Sequence, residues 1–120
     1  MISAGQWLVI LAGVAAGALG GILLKVGATE LPVGATPLEW LGAVALNWKL
    51  VAAVILYLIP LVLWIHLLRV MDVSLLQPLL ALVYVVTPVL AWALLGERVS
   101  LVRMAGIGVV IVGVIIIARS

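Results

Sequence analysis

Side chains able to do chemistry are few in this chain, which has six Lys and Arg, four Asp and Glu, one His and no Cys. A hydrolytic triad needs a base and an orienting carboxylate beside a nucleophile, but no nucleophile motif surrounds any Ser and the single His is His66. A phosphate-binding loop is missing as well, because Gly20, Gly21 and Lys25 belong to an apolar stretch. We therefore predict neither an enzyme nor a bound metal or other cofactor.

The charged residues flank long apolar segments, as they do in an integral membrane protein. Hydrophobic residues make up 68% of the chain and charged residues 8%, whereas soluble domains carry about 25% charge. The mean hydropathy is +1.54. A formal charge of +2, scattered along the chain, argues against nucleic acid as a partner. The absence of cysteine excludes disulfides and thiol chemistry.

Four apolar segments have the length of about 20 residues that a transmembrane helix needs. They cover approximately residues 6–25, 49–70, 73–96 and 101–118. The connections at 69–74 and 97–100 are so short that the helices on either side must be antiparallel neighbours. Residues 1–120 are therefore predicted to form one all-α membrane domain with four transmembrane helices.

The break between the first two segments carries the signals of a loop followed by a short helix. Thr36 or Pro37 can begin this helix, which would extend through Glu39, Trp40 and Trp48. Tryptophan side chains prefer the boundary between lipid and water. We predict a short interfacial segment here rather than a separate domain.

The third apolar segment, residues 73–96, is where we expect function. Pro78 and Pro88 lie inside it, and each removes a backbone donor and crowds the preceding turn. Packed membrane helices tolerate such prolines because neighbouring helices, hydroxyl groups or water satisfy the freed carbonyls. Gln77, Tyr84 and Thr87 lie close to the two prolines. The pattern predicts a bent helix whose uncharged polar groups suit a polar substrate better than an inorganic cation.

The sequence places no titratable side chain at membrane depth. A proton-coupled transporter usually carries an ionisable group there, so this absence disfavours proton-driven antiport. Asp72 and Glu97 lie at turns, where solvation or a pair with Arg69 or Arg98 accounts for them.

Positive charge remains at the rims of the apolar segments, on Lys25, Arg69, Arg98 and Arg103. These residues could bind an anionic lipid head group or the phosphate of a polyprenyl carrier. Non-specific contact with phospholipids explains them equally well, so both interpretations stay open. Four of the six cations flank the first and third connections, which favours termini outside the cytoplasm.

Glycines recur at every fourth position of the first segment, at Gly13, Gly17 and Gly21. This spacing makes a groove of small residues that allows another helix to approach closely. Glycine is also frequent in membrane helices in general, which is the competing explanation.

Several motifs together follow a known pattern: QPLL at residues 77–80, GERVS at 96–100, Gly20 with Lys25, and Gly106 with Gly113. They resemble the drug/metabolite transporter superfamily, in its four-helix small multidrug resistance and EamA-like branch. There, the first motif is an aromatic-proline step, the second an acidic turn and the third the end of the first helix. The greatest likeness is to the subunits of the 4-amino-4-deoxy-arabinose-phosphoundecaprenol flippase.

The chain departs from the drug-exporting members at two places. Gly17 occupies the position of their proton-coupling glutamate, and residues 79–83 replace the tryptophan and glycine signature of the drug pocket. Both departures favour the lipid-carrier relatives.

The resemblance implies a transporter or flippase subunit that moves a lipid-linked sugar or polyprenyl phosphate across the bacterial inner membrane. It implies phosphate contact for Lys25 and Arg69, head-group contact for Gln77 and Tyr84, and a turn charge at the substrate site for Glu97. It also implies a homodimer, or a heterodimer with a related small subunit, packed through Gly106 and Gly113.

Two alternatives remain. One is a small-molecule or multidrug exporter that uses Glu97 or Asp72 for coupling. The other is a non-transporting subunit that stabilises a larger membrane complex through its glycine faces.

Overall fold

The computed structural model describes residues 2–120, which fold into helices without any β-strand. The α-helices of this part of the chain are α1 (Ala4–Thr29), α2 (Pro37–Leu46), α3 (Trp48–Leu67), α4 (Val73–Leu79), α5 (Val83–Leu95) and α6 (Leu101–Ala118). Within it, four segments are long and apolar enough to cross a membrane: α1, α3, α6 and the composite Val73–Leu95. The prediction of an all-α, multi-pass membrane protein is confirmed.

The first helix is longer than the sequence pattern predicts. It begins with a capping box in which the Gln6 N–H donates to Ser3 Oγ at 3.1 Å and the Ser3 N–H donates to Gln6 Oε1 at 2.9 Å. It continues past Lys25 to Thr29, because lysine is a good helix former whose long stem can carry its charge outward. The chain leaves the helix only before Pro32.

The short helix α2 forms where the sequence predicts it. Thr36 caps it, accepting the Glu39 N–H at 3.3 Å, and Pro37 occupies its first turn. Trp48 belongs to α3 instead, because Asn47 ends α2 and its side chain caps α3 by accepting the Lys49 N–H at 3.0 Å. Every residue of α2 remains at least partly exposed within the described chain.

The helix α3 packs antiparallel along α1 and makes the most extensive contact in the described structure. Small residues on α1 permit this approach: a Cβ added to Gly13 would lie 2.7 Å from the Trp64 ring, and one on Gly20 would lie 3.4 Å from the Ala53 carbonyl oxygen. The predicted groove of Gly13, Gly17 and Gly21 is divided between two helices of the same chain: Gly13 faces Trp64 of α3, Gly17 faces Val83 of α5, and Gly21 lies beside both helices.

The third membrane segment consists of α4, a 3₁₀ turn at Leu80–Leu82, and α5. The 3₁₀ turn begins two residues after Pro78, while Pro88 lies inside α5. The predicted interruption therefore occurs at the first proline. Around it lies the main buried cluster, formed by Ile10, Val14, Leu67, Met71, Leu76, Leu79 and Val114.

The alternating helices give the molecule two ends. The end that holds residues 30–47 and 96–100 is called here the Glu97 end, and the end that holds residues 68–72 and 119–120 is called the Asp72 end. Within the described chain, Val114 is the one buried residue of α6, and it lies toward the Asp72 end of that helix.

Candidate functional site

Two open clefts lie between α5 and α6, both on the Glu97 side of the buried cluster. The first, about 520 Å³, is lined by Tyr84 and Thr87 of α5 and by Arg103 and Gly106 of α6. We call it the Tyr84 cleft.

The second, about 730 Å³, is lined by Val89 and Trp92 of α5 and by Met104, Gly108 and Ile111 of α6. We call it the Trp92 cleft. Both volumes fall within the range of about 300–1,000 Å³ that is usual for small-molecule sites.

The two clefts meet at a common border formed by Pro88, Glu97, Arg98, Val99 and Ile107. They are thus two sides of one gap between the helices.

Local features of the turn and of α6 contribute to this gap. Gly96 adopts a left-handed conformation, with φ of 67°, which ends α5 and reverses the chain. Ser100 then begins α6, accepting the Arg103 N–H at 3.2 Å. A Cβ added to Gly106 or Gly108 would meet, within 4 Å, no atom of the described residues apart from the adjoining backbone of α6. Glycine on α6 therefore leaves space beside α5 that a larger side chain would occupy.

The charges at the cleft border are free to meet a ligand. The Glu30–Lys49 pair is the one salt bridge among residues 2–120, so Glu97, Arg98 and Arg103 form none within that range. All three side chains are exposed. Guanidinium groups bind phosphate oxygens through parallel hydrogen bonds, which makes this border suited to an anion.

Uncharged polar groups lie deeper in the Tyr84 cleft. Thr87 is eight residues before the end of α5, or about 12 Å along the helix. Its Oγ1 is buried and, among the described residues, has no hydrogen-bond partner, which costs about 1–3 kcal/mol. Pro88 has no N–H to donate to the Tyr84 carbonyl. The cleft lining therefore includes one side-chain hydroxyl, that of Thr87, which has no hydrogen-bond partner among the described residues.

The predicted site residues are divided between the two ends. Tyr84 and Glu97 both line the Tyr84 cleft. Lys25 is exposed on the last turns of α1 at the Glu97 end, outside the lining of either cleft, while Arg69 lies at the Asp72 end. The 20 residues of α3 that separate the ends correspond to about 30 Å, so one phosphate cannot contact Lys25 and Arg69 together. Gln77 is exposed on α4.

The carboxylates at the turns are not enclosed. Glu97 borders the open clefts and Asp72 lines a small cavity of about 200 Å³ at the other end, and both are exposed. Among residues 2–120, no charged side chain is buried and no group of His, Cys, Asp or Glu has the arrangement of a metal site. Gly17, in the position of the exporters' coupling glutamate, is buried beside Val83.

The sequence pattern does not predict one polar cluster that the structure has at the Glu97 end. The Glu30 carboxylate accepts hydrogen bonds from Lys49 Nζ and, at 3.2 Å, from Asn47 Nδ2. Asn47 Nδ2 also donates to the Gly27 carbonyl at 3.3 Å. The hydrogen bond from Lys49 is the main cause that lowers the pKa of Glu30 below its ordinary value. The available signal was the pair of opposite charges that flank the break between two antiparallel helices.

The comparison with protein families agrees with this architecture. No curated protein and no solved structure matches the chain significantly. The EamA-like transporter family matches residues 2–119, almost the entire sequence. Four membrane-spanning segments and an open cleft between the last two are compatible with transport. The chain belongs to the EamA-like transporter family, within the drug/metabolite transporter superfamily.

Proposed function

We propose that this membrane transporter translocates a lipid-linked phosphate, such as a polyprenyl phosphate or a sugar attached to one, across the bacterial inner membrane. The observation that carries the proposal is the open gap between α5 and α6. Arg98 lies at its border and Arg103 in the lining of the Tyr84 cleft, and neither has a salt-bridge partner in the described chain.

An amphiphilic substrate fits this gap better than a small soluble one. The walls are mainly apolar, so a hydrocarbon chain can remain in contact with lipid and protein without losing favourable burial. The phosphate, in contrast, needs charge compensation wherever water is scarce. Arg98 and Glu97 lie at the border and Arg103 lies in the Tyr84 cleft lining, and together they leave one net positive charge for an anion.

The absence of a buried carboxylate among residues 2–120 gives no support to the alternative of an ion-coupled drug exporter. Such an exporter needs a group that changes its protonation at membrane depth. The second alternative, a partner subunit in a larger complex, has one observation in its favour. Large apolar side chains of α6, including Leu101, Val102 and Val109, are more than 70% exposed and are free to contact another protein.

A flipping assay tests the proposal. Purified protein in liposomes is supplied with a fluorescent polyprenyl phosphate, and transfer between leaflets is followed by chemical quenching from outside. Hydrogen bonds to a charged group contribute about 1.5–3 kcal/mol, so Arg98→Gln and Arg103→Gln should each slow transfer about tenfold or more. Arg119→Gln, which removes an exposed arginine at the Asp72 end, is the matched control.

Two outcomes would contradict the proposal. If the Arg98→Gln/Arg103→Gln double variant flips the probe at the rate of the unchanged protein, the cleft border does not hold the phosphate. If transfer generates or consumes a proton gradient, the ion-coupled exporter replaces the lipid transporter. The resemblance implies that Lys25 contacts the phosphate, and Lys25→Ala tests this contact in the same assay. An unchanged transfer rate in this variant would refute the contact.

A further inference from the structure

We infer that the two clefts bind different parts of one substrate molecule: the hydrocarbon chain in the Trp92 cleft, the uncharged head group in the Tyr84 cleft, and the phosphate between them at Arg98. This inference rests on the proposed function, because it assigns positions within the same substrate site.

The first argument is the arrangement of the clefts around Arg98. A lipid-linked sugar consists of a head group, a phosphate and a chain in that order. The two clefts are likewise joined at a border that contains Arg98 and Glu97, and both have this border in their linings. Both clefts are therefore within reach of a molecule whose phosphate lies at Arg98.

The second argument is the difference between the linings. Beyond the shared border, the Trp92 cleft is lined by Val89, Trp92, Gly96, Met104, Gly108 and Ile111, where the indole N–H is the one side-chain hydrogen-bond donor. A sugar placed there would lose its hydrogen bonds to water with little replacement. Trp92 is 64% exposed and Met104 51% exposed, and such large, adaptable side chains can pack along a hydrocarbon chain.

The Tyr84 cleft, in contrast, has polar groups at more than one level. Arg103 lines this cleft and is not part of the Trp92 cleft lining. Further along α5 lie Thr87 and Tyr84, of which Thr87 has the buried Oγ1 without a partner in residues 2–120. The Thr87 methyl group faces α1, since Cγ2 lies 3.7 Å from a Cβ placed on Gly21. In the inferred arrangement, the Thr87 hydroxyl, which has no partner among the described residues, meets a hydroxyl of the head group that enters the cleft.

The chain position is tested with Trp92 fluorescence. The probes are a polyprenyl phosphate with a brominated chain and the matched brominated polyprenol, each added to the full-length protein in phosphatidylcholine vesicles, because bromine quenches tryptophan on contact. We expect the phosphate probe to quench at a concentration at least fivefold lower than the polyprenol. Trp92→Phe should remove this extra quenching, whereas Trp40→Phe, on the exposed α2, should preserve it.

The head-group position is tested with Thr87→Val, which replaces a hydroxyl by a methyl group of similar size. The variant should bind a glycosylated polyprenyl phosphate about fivefold more weakly and bind the bare polyprenyl phosphate as before. Thr29→Val is the matched control, because the Thr29 hydroxyl bonds within α1, to the Val26 carbonyl at 2.7 Å, outside both clefts.

The results separate the inference from the proposed function. If both brominated probes quench Trp92 equally, or if Thr87→Val weakens both phosphates equally, the division between the clefts is refuted. The transporter proposal survives either result as long as Arg98→Gln and Arg103→Gln still slow flipping. It fails when those arginine variants have no effect on transfer, or when transfer is coupled to a proton gradient.

Discussion

The helices α1 and α6 are both apolar and rich in glycine, but α1 is packed inside the described structure and α6 is largely exposed. In the most apolar part of α1, 39% of the residues are buried, compared with 6% in α6. Gly27 of α1 faces α3, where an added Cβ would lie 2.7 Å from Leu50 Cγ, and Gly17 faces Val83 of α5. A Cβ on Gly113 of α6 would meet nothing within 4 Å in the described chain.

This difference shows that a glycine pattern does not by itself identify a partner. In α1 the small residues allow close packing of a neighbouring helix within the same chain, which fixes the α1–α3 pair. In α6 the small residues border the clefts and an open apolar face, which includes the exposed Val102, Val109 and Ile116. That face must be covered by lipid or by another protein chain, because the described residues leave it free.

The largest expected effect comes from filling the α1–α3 contact. In Gly27→Ala the new methyl group would meet the buried Leu50 side chain, with its Cδ2 at 2.6 Å and its backbone N at 3.4 Å. Overpacking of this kind costs about 1–3 kcal/mol, so the thermal midpoint in detergent should fall clearly. The matched change Gly106→Ala, at an open position, should leave the midpoint nearly unchanged.

A double-mutant cycle connects the effect to this contact. Leu50→Ala removes the side chain that Gly27→Ala would strike, so the two changes should be less damaging together than their sum, with a coupling of about 1 kcal/mol. Purely additive effects would show that the loss arises elsewhere in α1.

The α1–α3 contact also shows how far the sequence could predict the fold. Hydropathy places four membrane segments, and the structure reproduces the fourth, residues 101–118, at the same bounds. The end of the first segment is missed by four residues because Lys25 was expected to stop the helix. A charge at the end of a long, flexible side chain does not stop a helix, whereas Pro32 does interrupt the backbone pattern.

The candidate site was only partly predictable. Tyr84 and Thr87 were singled out because they lie near prolines, and both line the cleft. The separation between α5 and α6 was not predictable, because it depends on how two helices cross, and each helix is apolar all round. The Glu30–Lys49 pair was missed for a similar reason: it joins residues 19 apart in sequence, and their meeting depends on the register of α1 against α3.

The second prediction concerns the open face of α6. The resemblance to small multidrug transporters predicts that two copies pack through Gly106 and Gly113. Gly113→Leu should therefore lower the dimer fraction in lipid by about tenfold, equivalent to about 1.4 kcal/mol, while thermal stability hardly changes. Energy transfer between labelled copies measures the association.

The control for this prediction is Gly42→Leu, which adds the same side chain at another glycine that has open space around it in the described chain. An unchanged dimer fraction in Gly113→Leu, with Gly42→Leu also unchanged, would assign the open face of α6 to lipid.

A smaller effect is expected at the helix caps. Ser3 caps α1 and Ser100 caps α6, and each accepts one backbone N–H, at 3.1 Å and 3.2 Å. Loss of such a cap costs about 0.5–2 kcal/mol. Because α6 has few packing contacts at its first turn, Ser100→Ala should increase hydrogen exchange at the start of α6. Ser3→Ala should affect α1 less, since Ile10 and Val14 hold that helix in the core. Equal exchange at both helix starts would contradict this comparison.

The smallest expected effect is a pH dependence of stability at the Glu97 end. Here the α1–α3 pair and the α5–α6 pair differ in whether a salt bridge joins the helices. Glu30 and Lys49 join α1 to α3, while Glu97, Arg98 and Arg103 form no such bridge between α5 and α6 within residues 2–120. Because Lys49 lowers the pKa of the Glu30 carboxylate, the folded state favours the ionised form. The ionised Glu30 carboxylate contributes fully to the stability of the folded state at pH values well above the ordinary glutamate pKa of about 4.3. This contribution is lost as the pH falls through the lower pKa that Glu30 has in the folded protein.

Hydrogen exchange at the amide N–H of Leu31, which donates to Ala28 at the end of α1, measures this loss locally. Acidification through this range should increase the opening of that amide in the unchanged protein, after correction for intrinsic exchange. In Glu30→Gln the opening should already be raised at neutral pH and should change little on acidification. Glu39→Gln, which removes a carboxylate at the same end without touching Lys49 or Asn47, should keep the pH response of the unchanged protein. If Glu30→Gln keeps that response too, the Glu30–Lys49 ion pair is not the origin of the pH dependence. The packing of α3 against the glycines of α1 then holds the two helices together at the Glu97 end without help from this ion pair.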